Sequence, residues 1–432
     1  MFRDHRVGGM RIEILCTGDE ILTGKTVNTN YSHMAQRLEE VGLSVSWGTT
    51  VGDDRESLLA AFRQASERAD AVIVNGGLGP TVDDLSQEVA GQAAEVDLVL
   101  NEGWLAHMQE YYSRRNRVMP EVNRKQAMLP DGAEVIDNPI GTACGFAVDI
   151  GSARFYFTPG VPRELRKMLD EQVLPRLLKA SGLQGVTLMK RFHSFGIGES
   201  RADELLRDVE TLAPNGGVKL GFQSHYPQLE TKLVARGGDV VELERDMAPV
   251  AEEVRRRYGN FVVAEDSETI ESVILSKLQQ CSGSVALAEM FTSGNIAARF
   301  APHDDAEVLF RRGVVARDLG NLMTGVGLDV SGASEGVTTE AASSVATALQ
   351  AGSGASHALA VLVDLDEGED KMEFGGTVCI GIAGQNGGAV RQARLLGGRQ
   401  WVRLGAGEMG LDCLRRYLLD LPVDERVDFE KH

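Results

Sequence analysis

Apolar runs alternate with stretches of helical spacing over about the first 180 residues. The pattern predicts strands at 11–15, 43–49, 71–74, 144–149 and 154–158. It predicts helices at 29–41, 55–69, 102–115 and 161–179. The run at 71–74 is continuously apolar, which is typical of a strand buried on both faces of a parallel sheet. Because repeated β-α-β units connect their strands by right-handed crossovers, we expect an α/β domain with a doubly wound, mostly parallel sheet.

The pattern changes beyond residue 180. Helices at 199–211 and 241–258 flank a half-exposed strand at 228–235, which predicts a small α+β domain. A helix at 268–279 and a strand at 284–288 then open a third, α/β domain. The predicted organisation is therefore a disordered extension followed by three domains, at 1–9, 10–180, 183–265 and 267–428.

Composition and charge narrow the classes of function. The net charge of −19 opposes binding to nucleic acid or to an anionic membrane surface, so we expect neither as a partner. The five cysteines form no C-x-x-C pair, which argues against a disulfide framework or a structural zinc site and favours the cytoplasm. The chain contains no run of 18 or more apolar residues, so no membrane-spanning helix is predicted. An anionic substrate would need backbone N–H groups or a metal ion to offset the general acidity.

The glycine-rich segment NGGLGPTVDD follows the apolar run at 71–74. Gly76, Gly77 and Gly79 let the backbone turn sharply and approach a ligand, and a helix predicted to start near Asp83 would offer N–H groups to a phosphate. The adjacent Asp84 would repel that phosphate unless a divalent cation bridged the two. The segment predicts a phosphate site with a metal. The alternative is a tight turn in which Thr81 and the aspartates serve only as helix caps.

Three further loops that directly follow or precede predicted strands also carry polar groups. Asp19 and Glu20 follow the first strand, 138–146 precedes a strand, and 158–164 follows one. Because ligands of doubly wound sheets bind at the carboxyl ends of the strands, these loops are expected on one rim. Glu199 stands at the start of the second domain. Each of these residues could also be an ordinary cap or ion-pair partner.

These segments, in this order, resemble the CinA family (competence/damage-inducible protein). The matching stretches are TGDEILTGKTVNTN, VGDD, NGGLGPTVDD, NRKQAMLP, NPIGTACGF, FTPGVPREL and GIGES, over roughly residues 10–260. The resemblance implies a MoaB/MogA-like molybdopterin-binding fold for the first domain and a KH-type fold for the second. The second domain lacks a G-x-x-G flanked by basic residues, so RNA binding is not inferred.

The resemblance also implies a metal-dependent ADP-ribose pyrophosphatase that lacks the Nudix signature helix. It makes Asp19, Asp83, Asp84 and Glu199 candidates for holding a divalent Mg, Mn or Co ion or for positioning water. The implied phosphate contacts are Gly76, Gly77, Gly79 and Thr81. The residues implied to frame the nucleotide are Asn30, Thr142, Pro159, Gly160 and Ser200. Two alternatives stay open: a molybdopterin-type binding or adenylylating protein, and a non-catalytic assembly protein.

The third domain departs from the family pattern. Family members often end in a nicotinamide-nucleotide amidase whose A-E-S-C-T-G-G signature carries a serine nucleophile, and here 288–294 reads AEMFTSG. Met290 stands in the serine's place, and a thioether cannot attack an amide carbonyl. Two further motifs of the family are also lost, at 313–322 and 361–367. We therefore predict a degenerate domain without nicotinamide mononucleotide deamidase activity, and the resemblance makes a homodimer the expected assembly.

Overall fold

The computed structural model describes residues 9–183, 185–330, 336–369, 373–385 and 387–430. Of the predicted disordered extension over 1–9, all but Gly9 lies outside the described residues. The chain forms two compact units, one that ends at Thr187 and one that begins at Leu188.

The first unit follows the predicted alternation of strands and helices. Its strands are β1 Ile12–Thr17, β2 Val45–Val51, β3 Ala71–Asn75, β4 Leu98–Leu100, β5 Met128–Pro130, β6 Glu134–Ile136, β7 Gly145–Ile150 and β8 Ala153–Thr158. Its helices are α1 Asp19–Leu22, α2 Thr29–Glu40, α3 Arg55–Arg68, α4 Ser86–Ala94, α5 Glu102–Ser113, α6 Pro162–Met168 and α7 Leu174–Ser181. A 3₁₀ segment spans Glu121–Ala127, and a π turn at Leu169–Val173 joins α6 to α7.

Six of these strands form one sheet in the order β2-β1-β3-β8-β7-β6. The four neighbours β2, β1, β3 and β8 run parallel, and β7 pairs antiparallel with both β8 and β6. The predicted α/β fold with a mostly parallel sheet is confirmed. As a consequence, β1, β2, β3 and β8 all end at the same edge of the sheet.

Helices cover both faces of this sheet, as the apolar strands require. Ile14 and Ile73 face a core that includes Met34 of α2 and Leu165 of α6. Their neighbours along the strands, including Leu15, Val72 and Val74, face a second core that holds Phe62 of α3 and Val89 of α4. The strand interiors are therefore mostly apolar on both sides, and an exception is the buried Glu13 of β1, which pairs with Arg68 of α3.

One predicted helix start is wrong. Helix α4 begins at Ser86, not near Asp83, and Leu85 stands before it without a side-chain cap. The reason lies in the preceding turn, where the Asp84 carboxylate accepts hydrogen bonds from the backbone N and the hydroxyl of Thr81. The acidic pair therefore shapes the glycine-rich turn and does not cap the helix.

The second unit contains two sheets. Its strands are β9 Val186–Phe195, β10 Val218–His225, β11 Gln228–Gly237, β12 Val262–Glu265, β13 Val285–Met290, β14 Phe310–Ala316, β15 His357–Leu365, β16 Gly375–Gly384 and β17 Gly387–Leu396. Its helices are α8 Glu199–Leu206, α9 Val240–Tyr258, α10 Ile270–Gln280, α11 Asn295–Phe300, α12 Ala306–Leu309, α13 Leu319–Gly325, α14 Thr339–Ser353 and α15 Arg399–Leu418. Short 3₁₀ segments lie at Val209–Leu212 and Gly259–Phe261.

The two sheets of the second unit share one hydrophobic core. The four-stranded sheet has the order β10-β11-β9-β12, and the five-stranded sheet has the order β14-β13-β15-β16-β17. Phe192 of β9, Val254 of α9, Leu359 of β15 and Leu411 of α15 belong to the same buried cluster. Among the described helices, none is both long and apolar enough to cross a membrane.

Candidate functional site

A cavity of about 460 Å³ opens where the four parallel strands of the first unit end. Its walls come from the segments that follow β1, β2, β3 and β8, from the loop before β7, and from Gln126. We call it the strand-end cavity. Because these loops are brought to one rim by the parallel sheet, residues far apart in the chain meet here.

Two buried asparagines fasten the strand ends to one another. The Asn30 side-chain amide donates to Asn75 Oδ1 at 2.9 Å and to the Gly160 carbonyl at 2.7 Å. The Asn75 amide in turn donates to the Pro159 carbonyl at 2.7 Å. Helix α2, the end of β3 and the turn after β8 are therefore held together by neutral amide groups.

The turn after β3 passes close to the end of β1. Gly76 has a φ of +114°, and a Cβ there would lie 2.5 Å from Thr17 Oγ1. Only glycine meets both conditions without strain. The Gly76 carbonyl accepts a hydrogen bond from Ser86 Oγ at 2.9 Å, so the first residue of α4 holds the turn from the other side.

The outer part of this turn is fixed by its own side chains. Asp84 accepts the Thr81 backbone N at 2.8 Å and the Thr81 hydroxyl. Lys125 Nζ donates to the Thr81 carbonyl at 3.0 Å and lies 3.5 Å from Glu88. The turn is thus ordered before any ligand arrives, which lowers the entropic cost of binding.

The strand-end cavity is strongly acidic. Its five carboxylates are Glu20, Asp53, Asp83, Asp84 and Glu164, and no lysine or arginine is among the described residues that line it. Burial raises the pKa of Asp53, and the charges of Asp19, Glu20 and Asp83 raise that pKa further. An anionic ligand would meet repulsion here unless a cation entered with it.

The chemistry of the lining fits such a cation without a preassembled cage. Across the described ranges, no three His, Cys, Asp or Glu side chains are grouped closely enough to hold a metal ion. The carboxylates are nevertheless hard oxygen donors, and Thr17 Oγ1 is buried at the cavity wall without a hydrogen-bond partner. Protein oxygens could therefore supply part of a coordination shell that water and ligand phosphate complete.

The structure brings most of the predicted site residues of the first unit together. The predicted residues that line the strand-end cavity are Gly76, Gly77, Gly79, Asp83, Asp84, Thr142, Pro159 and Gly160. Asn30 stands behind this wall as a support. Thr81 and Asp19 are exposed and do not line the cavity: the Thr81 hydroxyl bonds Asp84, and Asp19 Oδ1 accepts the Asp53 backbone N at 3.3 Å. Glu199 and Ser200 belong to the second unit, where they are exposed at the start of α8, so their part in the site stays a prediction.

Three residues of the site were not predicted individually: Asp53, Glu164 and Gln126 line the strand-end cavity. Glu20, which was expected on this rim beside Asp19, lines the cavity as well, whereas Asp19 does not. Gln126 donates to the Leu78 carbonyl at 3.0 Å. Each of these residues lies in one of the stretches that match the family pattern. Spacing alone does not tell which of two adjacent side chains faces the strand-end cavity.

The degenerate signature of the third domain retains one acidic residue in a structural role. Glu289, buried at the end of β13, accepts hydrogen bonds from Thr292 Oγ1 at 2.7 Å, from Ile296 N at 3.2 Å and from Ala297 N at 2.8 Å. Met290 is buried beside it, while the Ser293 hydroxyl donates to the Phe291 carbonyl at 2.9 Å. The carboxylate therefore organises the turn into α11.

Three family models match consecutive parts of the chain. They are described as "Probable molybdopterin binding domain" over residues 13–179, "Damage-inducible protein CinA KH domain" over residues 189–264 and "CinA C-terminal domain" over residues 267–418. A CinA-like protein of Shewanella frigidimarina (strain NCIMB 400) is 36% identical over 422 residues, which cover 96% of this chain and 97% of that protein. The chain belongs to the CinA family. The predicted resemblance over residues 10–260 is thereby confirmed, and it extends into the third domain.

Solved structures related to this CinA-family chain cover smaller parts of it. A CinA protein of unknown function from Thermoplasma acidophilum is 34% identical, over 39% of this chain and 98% of that one, with a TM-score of 0.36. The molybdopterin biosynthesis enzyme MoaB from Thermus thermophilus is 22% identical, over 40% of this chain and 98% of that one, with a TM-score of 0.28. The strand-end cavity lies within the residues that the molybdopterin-binding family model matches.

Proposed function

We propose that this CinA-family protein hydrolyses ADP-ribose to AMP and ribose 5-phosphate at the strand-end cavity. The observation that carries the proposal is the pairing of an ordered glycine-rich turn with five carboxylates at the ends of parallel strands. A pyrophosphate needs backbone N–H groups close by, and Gly76, Gly77 and Gly79 allow that approach. The predicted residues Thr142, Pro159 and Gly160 would frame the nucleotide on the facing wall.

A divalent cation would complete the proposed site. When bound, Mg²⁺, Mn²⁺ or Co²⁺ would offset the charge of the phosphates and lower the pKa of a bound water. Asp53, Asp83 and Asp84 would offer it oxygen ligands, and water and the substrate phosphates would complete its shell, because the described carboxylates form no preassembled group of three ligands. Asp19 would act through Asp53, because the two share reciprocal backbone-to-carboxylate hydrogen bonds of 3.1 and 3.3 Å.

The test is to incubate the purified protein with ADP-ribose and each cation in turn, and to measure AMP by chromatography with an EDTA control. We expect cation-dependent release of AMP, and we expect Asp84→Ala to abolish it. Asp131→Ala, which removes an exposed carboxylate of the same unit away from the cavity, serves as the matched control. No AMP with any of the three cations would refute the proposal.

The Asp84 carboxylate has two roles to distinguish, since it is a proposed cation ligand and it also accepts hydrogen bonds from Thr81 that order the turn. A second variant separates these roles. Thr81→Val removes the hydroxyl hydrogen bond to Asp84 and leaves the carboxylate in place. If charge matters most, Thr81→Val retains most of the activity. If both variants lose activity equally, the carboxylate acts mainly by holding the turn.

A second candidate is a molybdopterin-type binding or adenylylating protein, which the family-model match over 13–179 favours. Titration calorimetry with molybdopterin and with ADP-ribose distinguishes the two ligands.

We also propose that the protein acts in the cytoplasm as a homodimer that binds neither nucleic acid nor membrane. Light scattering measures the mass of the assembly. Complete inactivity of a well-folded dimer would favour a non-catalytic assembly role.

A further inference from the structure

Glu164 is a carboxylate of the strand-end cavity that sequence reasoning missed. It lies in the first turn of α6, directly after the Pro159-Gly160 turn, and it is half-buried in the cavity wall. It enters the cavity after β8, whereas Glu20, Asp53 and Asp83 enter after β1, β2 and β3. Glu164 thus reaches the strand-end cavity from a different strand end than the carboxylates proposed to hold a cation.

A fully buried asparagine orients this carboxylate. Asn138 Nδ2 donates to Glu164 Oε2 at 2.7 Å and to the Ala143 carbonyl at 3.0 Å. Its Oδ1 accepts the Ile140 backbone N at 3.4 Å. Asn138 therefore fixes the loop before β7 and the position of Glu164 at the same time. A neutral amide does this, so the carboxylate is aimed without its charge being neutralised.

The loop also leaves room for the Glu164 carboxylate. A Cβ at Gly141 would lie 2.3 Å from Oε2 and 2.5 Å from Oε1, so any larger residue would displace it. In the described part of the chain, no lysine or arginine forms an ion pair with Glu164, and Oε1 has no hydrogen-bond donor. One oxygen is therefore held in place and the other is available to accept a proton.

We infer that Glu164 is the general base of the hydrolysis, an inference that rests on the proposed function. The oxygen of a water forms a bond to one phosphorus of the substrate pyrophosphate, and its proton passes to Glu164 Oε1. The bridging P–O bond breaks, and its electron pair leaves with the other phosphate. Glu164 then releases the proton to solvent. Asn138 is a positioning residue in this step, because it contacts Glu164 and not the water.

The experiment compares Glu164→Gln with the wild type on ADP-ribose at saturating cation. Glutamine keeps the size of the side chain and can still accept the Asn138 hydrogen bond, but it cannot take up the proton. We expect kcat to fall by about 100-fold or more, the usual contribution of a general base. We expect KM to change by less than about threefold, because binding is not removed. The acidic limb of the kcat–pH profile should disappear in the variant.

Two further variants keep the test specific. Glu171→Gln changes a half-exposed glutamate in the π turn just beyond α6 and should leave kcat unchanged. Asn138→Ala should lower kcat by less than Glu164→Gln and retain the acidic limb, because the base is misplaced but present. Thermal unfolding of each variant shows whether it is folded when assayed.

The outcomes separate this inference from the proposed function. A wild type that releases no AMP refutes both. An active wild type with Glu164→Gln at half its rate or more refutes the role of Glu164 alone. If excess cation restores the activity of Glu164→Gln, Glu164 is a metal ligand and the general-base assignment is wrong.

Discussion

The Asn30 side-chain amide donates to Asn75 Oδ1 across 2.9 Å, joining residues that are 45 positions apart in the chain. Asn30 belongs to α2, and Asn75 ends the central strand β3. Both are buried, and both also donate to carbonyls of the turn after β8. This pair therefore sets the spacing of the walls of the strand-end cavity.

Replacing Asn75 tests how much stability this arrangement provides. Asn75→Ala leaves the Asn30 amide and the Pro159 carbonyl with one partner fewer inside the protein. Each buried group without a partner costs about 1–3 kcal/mol, so we expect the unfolding free energy of the first unit to fall by about that amount. Urea unfolding measures the change, and Ser46→Ala on the exposed side of β2 is the control. A change below about 0.5 kcal/mol would mean that water replaces the lost contacts.

The pKa of Asp53 predicts a pH-dependent stability. Because burial and neighbouring charges raise this pKa in the folded state, the stability that Asp53 contributes is fully present below its unfolded pKa, about 3.9, and is lost as pH rises through the folded pKa. We therefore expect Asp53→Asn to be more stable than the wild type at pH 7, by about 0.5 kcal/mol. The two proteins should converge near pH 3.

Thermal unfolding in EDTA from pH 3 to 8 measures this difference. Asp131→Asn, an exposed residue of the same unit, controls for the loss of one charge. Equal stability of wild type and Asp53→Asn at every pH would show that solvent screens the acidic lining. The Asp53→Asn variant should also lose cation-dependent activity, because it removes one of the carboxylates proposed to offer the cation an oxygen ligand.

A buried ion network predicts a large effect in the second unit. Asp412 of α15 accepts Arg415 Nε at 2.9 Å and Arg416 Nε at 2.7 Å, and all three side chains are buried. Asp412→Ala would leave two buried guanidinium groups short of an anion, so we expect a loss of about 3–5 kcal/mol. Asp203→Ala, on the exposed side of α8, should cost less than about 0.5 kcal/mol. Calorimetry of the full chain distinguishes the two.

The degenerate signature predicts the absence of an amidase reaction. We expect the wild type to release no ammonia from nicotinamide mononucleotide, because Met290 is buried and its thioether cannot attack an amide carbonyl. Met290→Ser should not restore the reaction, since Arg317 and Asp318 stand where the family motif has tyrosine and serine. An enzymatic ammonia assay measures both proteins. Ammonia above the background of a heat-inactivated sample would show that another group attacks.

The sequence predicted the longer elements of the first unit because their signals are local, whereas the three-residue strands β4, β5 and β6 were not predicted. The continuous apolar run became β3, and the spacing of Met34 and Leu38 placed α2. The start of α4 was missed because Asp84 has two uses for its carboxylate, as a cap or as a partner for Thr81. Residue spacing does not tell whether Asp84 caps the helix or accepts hydrogen bonds from Thr81. The geometry of the turn determines this.

The site was predictable to the level of loops but not of individual side chains. The rule that parallel strands end together was enough to place Gly76 beside Pro159 and Gly160. It could not tell that Asp53 faces the strand-end cavity while Asp19 turns to its backbone. Nor could it find Glu164, whose orientation depends on Asn138, a contact that spans 26 positions.

The three hydrogen bonds to Glu289 give this position a part in folding that is independent of any reaction. That carboxylate connects β13 to α11, so a change at this position would impair folding whether or not the domain catalyses anything. The neighbouring Met290 fills space and makes no such bonds. Position 289 therefore carries a folding requirement that does not depend on catalysis, whereas position 290 carries none of these hydrogen bonds. A glutamate at this position is by itself evidence of the fold and not of the reaction.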